Sequence, residues 1–81
     1  MRKITLIIVH CTANRAGSAL RMADIDRYHR SLGWNGCGYH YVIPTDGTIE
    51  AGRPERLVGA HCKNHNSHSI GVAYVGGLAA D

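Results

Sequence analysis

Six histidines, three cysteines and four tyrosines in 81 residues concentrate the chemistry of this chain in imidazole, thiol and phenol groups. An imidazole, with a free pKa of about 6.5, can ligate a metal or move a proton near neutral pH. His10 closes an apolar run, where a rigid strand would aim its ring, and is the best metal-ligand candidate of the six. Cys11 follows directly, but neighbours on a strand point to opposite faces, so the two do not share one ion. His29 falls on the apolar side of a helical pattern and reads as a hydrogen-bonded core histidine. Tyr39 and His40 alternate, so only one of them faces a given site. The run His61-Cys62-x-x-His65-x-x-His68 superficially resembles a zinc knuckle, yet lacks the paired spacing of known fingers. It leaves open one alternative, a histidine-rich zinc or nucleic-acid-binding module.

These groups need elements to hold them. Ile4–Val9 is β-branched and almost continuously apolar, which predicts a strand buried on both faces in the middle of a sheet. Thr12 to Ala19 reads as a polar loop, loosest at Gly17 and Ser18. Met22, Ile25, Tyr28, His29 and Leu32 share one face of a helix from about Met22 to Leu32, with Asp24, Asp26, Arg27 and Arg30 opposite. Asp26 and Arg30 form an i,i+4 pair, and Gly33 suits the left-handed closing position. Trp34 follows and reads as packing the next loop, with substrate stacking as the lesser alternative.

Tyr39–Ile43 has strand composition, and Asp46-Gly47 predicts a turn into an antiparallel return over Thr48–Ala51. Pro44 ends the first arm or lies on an edge. Arg53 to Asn66 is a long loop with a helical turn around Glu55–Val58, and Ser69–Val75 is a last strand ending at Gly76-Gly77. The result is an α/β fold, a mixed β-sheet with one flanking helix. One helix cannot cover both faces of a sheet whose strands Ile7–Val9 and Val72–Val75 read as buried, so a second layer is missing and the domain reads as incomplete.

Composition sets the outer limits. Hydrophobic residues make 44% of the chain and charged residues 19%, which excludes a disordered segment. A chain of this length buries only roughly 60–65% of its unfolded surface and is marginally stable without a metal, disulfide or partner. The net charge of +3 fits a solvated surface or attraction to an acidic polymer, and no Lys/Arg run marks a nucleic-acid footprint. Three cysteines are an odd number and too few for a stapled scaffold, which predicts free thiols. Met1-Arg2-Lys3 before Ile4–Val9 has a trace of a signal peptide, but the apolar stretch has six residues, runs into His10 and lacks a cleavage site. No membrane span is expected, and synthesis in the cytoplasm is.

Five ordered stretches are recognisable: Ile8-Val9-His10-Cys11-Thr12-Ala13, Gly38-Tyr39-His40-Tyr41-Val42-Ile43, Asp46 to Arg53, Val58-Gly59-Ala60-His61 and Asn66-x-x-Ser69-Ile70-Gly71-Val72. Together they resemble the amidase family that includes phage lysozyme-type N-acetylmuramoyl-L-alanine amidases and animal peptidoglycan recognition proteins. The resemblance runs from about residue 4 to residue 77. It implies that residues 1–81 are the N-terminal part of a single amidase domain, cutting the lactyl–L-alanine amide of peptidoglycan with zinc. It implies that His10 is the first zinc ligand, a further histidine and a cysteine falling beyond residue 81. It matches Tyr39 to the family's catalytic tyrosine and puts His61 and Asn66 in the substrate groove, His61 not being a ligand. A non-catalytic peptidoglycan-binding module is the alternative within the family. The fragment is expected to be inactive alone, and to self-associate or to pair with its missing C-terminal half.

Overall fold

The computed structural model describes residues 2–15 and 19–78; the loop apex expected at Gly17 and Ser18 lies outside them. Four strands form one sheet in the order β1 (Leu6–Cys11), β5 (Ser69–Tyr74), β3 (Tyr41–Ile43), β4 (Glu50–Ala51). β1 and β3 both run parallel to β5, and β4 is antiparallel to β3. Two short strands, β2 (Asn14–Arg15) and β6 (Gly77–Leu78), pair parallel beside it. Among the described residues one α-helix, α1 (Met22–Ser31), packs on one face, giving the mixed sheet with a helix expected from the sequence.

The central strand is β5, not β1. Ser69 and Ala73 are wholly buried, whereas Ile7 and Val9 are 70% and 63% exposed, so the first apolar run is not buried on both faces. The physical reason is its place: β1 pairs only with β5, at an edge of the sheet among the described residues. Alternation puts Ile8 and His10 on the helix side, in register with Gly71 and Ala73 of β5. Ile7 and Val9 turn to the other side, which no described helix covers. Tyr74 is also exposed, so the buried pattern expected through Val75 is broken there.

The core is small: Ile25, Cys37, Val42 and Val75, flanked by Leu20, Met22 and Tyr39. Of the expected apolar helix face Ile25 and His29 are buried and Met22 packs against the core, whereas Tyr28 and Leu32 are exposed. The start of α1 is held by the Asp24 carboxylate, which accepts the Arg21 amide at 2.9 Å, and by Glu50 of β4, which accepts the Met22 amide at 2.9 Å. Gly33 closes the helix with φ +89°, and Gly47 makes the hairpin turn with φ +83°, both as read from the sequence. The hairpin arms are shorter than expected: Thr48 and Ile49 stay outside the ladder, and the Asp46 carboxylate takes the Thr48 amide instead. The long loop makes a hydrogen-bonded turn from Pro54 to Leu57 and ends in a 3-10 turn at Asn66–His68.

Candidate active site

His10 lies inside β1, one residue before its end, and the sheet geometry sends its ring to the helix side. Two aromatic rings meet it there. Tyr39 stands with its ring centroid 5.4 Å from His10, and His61 with its centroid 5.1 Å away. Tyr39 and His61 face each other at 6.4 Å, so three residues far apart in sequence close a triangle.

His61 reaches this place because glycine leaves room for it. A Cβ on Gly71 would fall 2.5 Å from the His61 ring, and one on Gly59 would fall 2.6 Å from it. The ring lies flat against the middle of β5, which is why an isolated glycine stands inside that strand. Its Nδ1 is 3.0 Å from His10 Nε2, and its Nε2 is 3.3 Å from the Ser69 hydroxyl. Burial first, then the nearby His10, His40, Arg2 and Arg53, push its pKa down to about 4. A neutral His61 therefore carries one proton and offers one lone pair at neutral pH. Burial also lowers the pKa of His10. The same cause raises that of Tyr39, so its phenol keeps its proton at neutral pH and can donate it in a hydrogen bond.

The supporting shell is mostly backbone. His40, 1% exposed, exchanges two hydrogen bonds with Gly71: its amide donates to the Gly71 carbonyl at 2.8 Å, and its Nδ1 accepts the Gly71 amide at 3.0 Å. Its Nε2 faces the Leu57 carbonyl at 2.8 Å. His40 stands edge to face behind His61, ring centroids 5.8 Å apart, and strand alternation does not separate it from Tyr39 because both precede β3. His29, the expected core histidine, accepts the Gly38 amide at its Nδ1, 2.8 Å away. Trp34 lies against His29 with centroids 4.5 Å apart, in the packing role read for it.

Asn66 is placed beside His61 rather than across the groove from it. Its Oδ1 accepts the amides of both His61 and Cys62, at 3.0 and 2.9 Å. Arg2 belongs to no sequence motif, yet its guanidinium donates to the carbonyls of Glu55, Asn66 and Ser69 and so fastens the loop that carries His61. The only signal for it is its charge ahead of an apolar strand. A cleft of about 310 Å³ opens on the α1 side of Tyr39, lined by Thr12, Asn14, Asp24, Tyr28 and His29 among others. A second of similar volume lies between α1 and the 52–58 loop, with Arg30 and Arg53 at its wall.

Zinc in a catalytic site takes three protein ligands and an open position. Two imidazoles converge here, and among the described residues no set of three His, Cys, Asp or Glu side chains is placed to hold a metal. These residues alone do not fit the metal site that the family resemblance implies. Nor does the histidine-rich loop form a knuckle: both ring nitrogens of His61 point at His10 and Ser69, while His65 and His68 pack edge to face at 5.5 Å.

Comparison with known proteins decides the family. The family model described as N-acetylmuramoyl-L-alanine amidase matches residues 1–80. The chain belongs to this amidase family. Among its relatives, the endolysin of Escherichia phage T7 is 46% identical over 72 residues, covering 89% of this chain and 48% of the endolysin. Among solved structures, the amidase LysC of Clostridium intestinale superposes with TM-score 0.82 at 37% identity, over 93% of this chain and 48% of LysC. A Drosophila PGRP-LB variant in complex with tracheal cytotoxin superposes with TM-score 0.81 at 28% identity, over 94% of this chain and 49% of PGRP-LB. This amidase chain therefore spans about half the length of the relatives it matches, and the described fold is a partial amidase domain.

Proposed function

We propose that this chain carries one half of the active site of a zinc-dependent N-acetylmuramoyl-L-alanine amidase, acting on the lactyl–L-alanine amide of cell-wall peptidoglycan. The observation that carries the reading is the convergence of His10, Tyr39 and His61 at the end of β1 in a chain of this family. The substrate class is supported by the phage endolysin relative and by the muropeptide-type ligand, tracheal cytotoxin, bound to PGRP-LB. His10 would be one zinc ligand, the others coming from outside the described residues. Zinc, when bound, supplies an activated water and polarises the scissile carbonyl.

The chain's own residues do the rest. Tyr39, protonated at neutral pH, donates a hydrogen bond to the oxyanion as the carbonyl becomes tetrahedral. His61 holds the His10 ring by its 3.0 Å contact and, with Asn66 beneath it, walls the site. The cleft beside Tyr39 gives the glycan–peptide junction a place to lie.

Calorimetric titration of zinc into the chain tests the ligand assignment. The expected result is that whatever zinc the half-site takes up is lost in His10→Ala and kept in His65→Ala and His68→Ala; the reverse pattern would establish the histidine-rich module instead. An assay for new L-alanine amino termini in peptidoglycan tests completeness. Little turnover is expected from the chain alone with zinc present, and sustained turnover would refute the half-site reading.

A further inference from the structure

Residues 37–40 belong to no helix or strand, yet they carry Tyr39 into the site. Backbone without a ladder must find its hydrogen bonds elsewhere. Two side chains of α1, one turn apart, supply them: the Asp26 carboxylate accepts the Cys37 amide at 2.8 Å, and His29 Nδ1 accepts the Gly38 amide at 2.8 Å. On the far side the Gly38 carbonyl accepts the Ala60 amide at 3.0 Å, and a Cβ on Gly38 would meet the Ala60 carbonyl at 2.4 Å. The Tyr39 carbonyl accepts the Arg53 amide at 2.9 Å. The His29 ring is packed between Trp34, at 4.5 Å, and Tyr39, at 5.8 Å.

We propose that His29 is a positioning residue for Tyr39: by accepting the Gly38 amide, its Nδ1 fixes the backbone that aims the phenol at the His10–His61 pair. The consequence for catalysis rests on the reading of Tyr39 as the group that meets the substrate. An acceptor at Nδ1 must be unprotonated, which puts the single proton of the neutral ring on Nε2. Burial and the nearby Arg53 charge favour that neutral ring. A histidine that merely filled the core would be replaceable by leucine with no effect on Tyr39.

NMR of the ¹⁵N-labelled chain separates the two roles. An N–H···N bond transmits a scalar coupling, expected here between the Gly38 nitrogen and His29 Nδ1; its absence in the wild-type chain would overturn the proposal. His29→Asn keeps an acceptor oxygen near the position of Nδ1. It is expected to retain slow exchange of the Gly38 amide and the Tyr39–His10 ring NOEs. His29→Leu should speed Gly38 exchange about tenfold or more, the equivalent of one lost hydrogen bond, and weaken those NOEs. A folded leucine variant with both signatures intact overturns the proposal. Should the leucine variant not fold, a folded asparagine variant lacking the NOEs overturns it equally. Tyr39→Phe keeps the ring and the Gly38 bond. Its NMR signatures should match the wild-type chain whether or not Tyr39 acts in peptidoglycan turnover, so failure of the catalytic reading of Tyr39 would leave the NMR result standing.

Discussion

At the scale of single residues, the site depends on what is missing from Gly71 as much as on what His61 supplies. A methyl group at 71 would enter the His61 ring, and the ring cannot swing aside because Gly59, His10 and Ser69 enclose it. Gly71→Ala is therefore expected to cost about 1–3 kcal/mol, the range for overpacking a tight site, and to break the His10–His61 contact. Urea denaturation and the His10 ring shifts check this, and a stable variant with unchanged shifts would contradict the packing argument. Asn66 offers the complementary case. Asn66→Ala orphans the His61 and Cys62 amides and should destabilise by roughly 1–3 kcal/mol, whereas Asn66→Asp keeps the acceptor and should lose far less. His10 and Tyr39 were legible in the sequence because each belongs to a motif that carries the family resemblance, although Tyr39 lies two residues before β3. The contact between His10 and His61 was not. It joins residues 51 apart and exists only through a close approach that a glycine permits but does not announce.

At the scale of elements, the sequence showed the order and type of the longer elements but not their place, and it missed the short strands β2, within the expected loop Thr12–Ala19, and β6. The periodicity of Met22 to Leu32 reports a helix, and Asp46-Gly47 reports a turn, since both signals are local. Which strand lies at the centre is a non-local fact. An apolar run such as Ile4–Val9 reads alike at an edge and in the middle, and only the partner list distinguishes β1 from β5. The join between α1 and the hairpin was equally silent, because it runs through Glu50 to the amide of Met22 and to the Arg21 guanidinium. Glu50→Ala removes the acceptor at the helix start and is expected to cost roughly 0.5–2 kcal/mol, as other lost caps do. Amide exchange should accelerate in the first turn of α1 more than in β5. Uniform acceleration over both elements would show that the cap matters only through global stability.

At the scale of the whole molecule, two features set how the chain behaves in solution. Leu6, Ile7, Val9 and Tyr74 are exposed along an edge strand and its neighbour, a surface prone to pair with another chain. Concentration-dependent association is expected by light scattering, and Ile7→Lys should suppress it; a clean monomer at high concentration would remove the self-association proposal. The second feature is proton uptake. His10, His29 and His61 all have pKa values below the ordinary histidine value of about 6.5, with burial as the largest cause in each, His61 reaching about 4. The unfolded chain binds protons at these positions before the folded one does, so between about pH 6.5 and 4 the unfolded state holds more of them. Stability should therefore be fullest above pH 6.5 and fall progressively towards pH 4, and the Asp46 carboxyl, lowered to about 2 in the fold, adds its own loss as pH falls through the ordinary value of 3.8. Urea midpoints measured with a chelator present, at intervals across that range, check the sign. A midpoint that rises on acidification would mean these imidazoles gain their protons in the folded state, contradicting the buried, neutral rings on which the site is built.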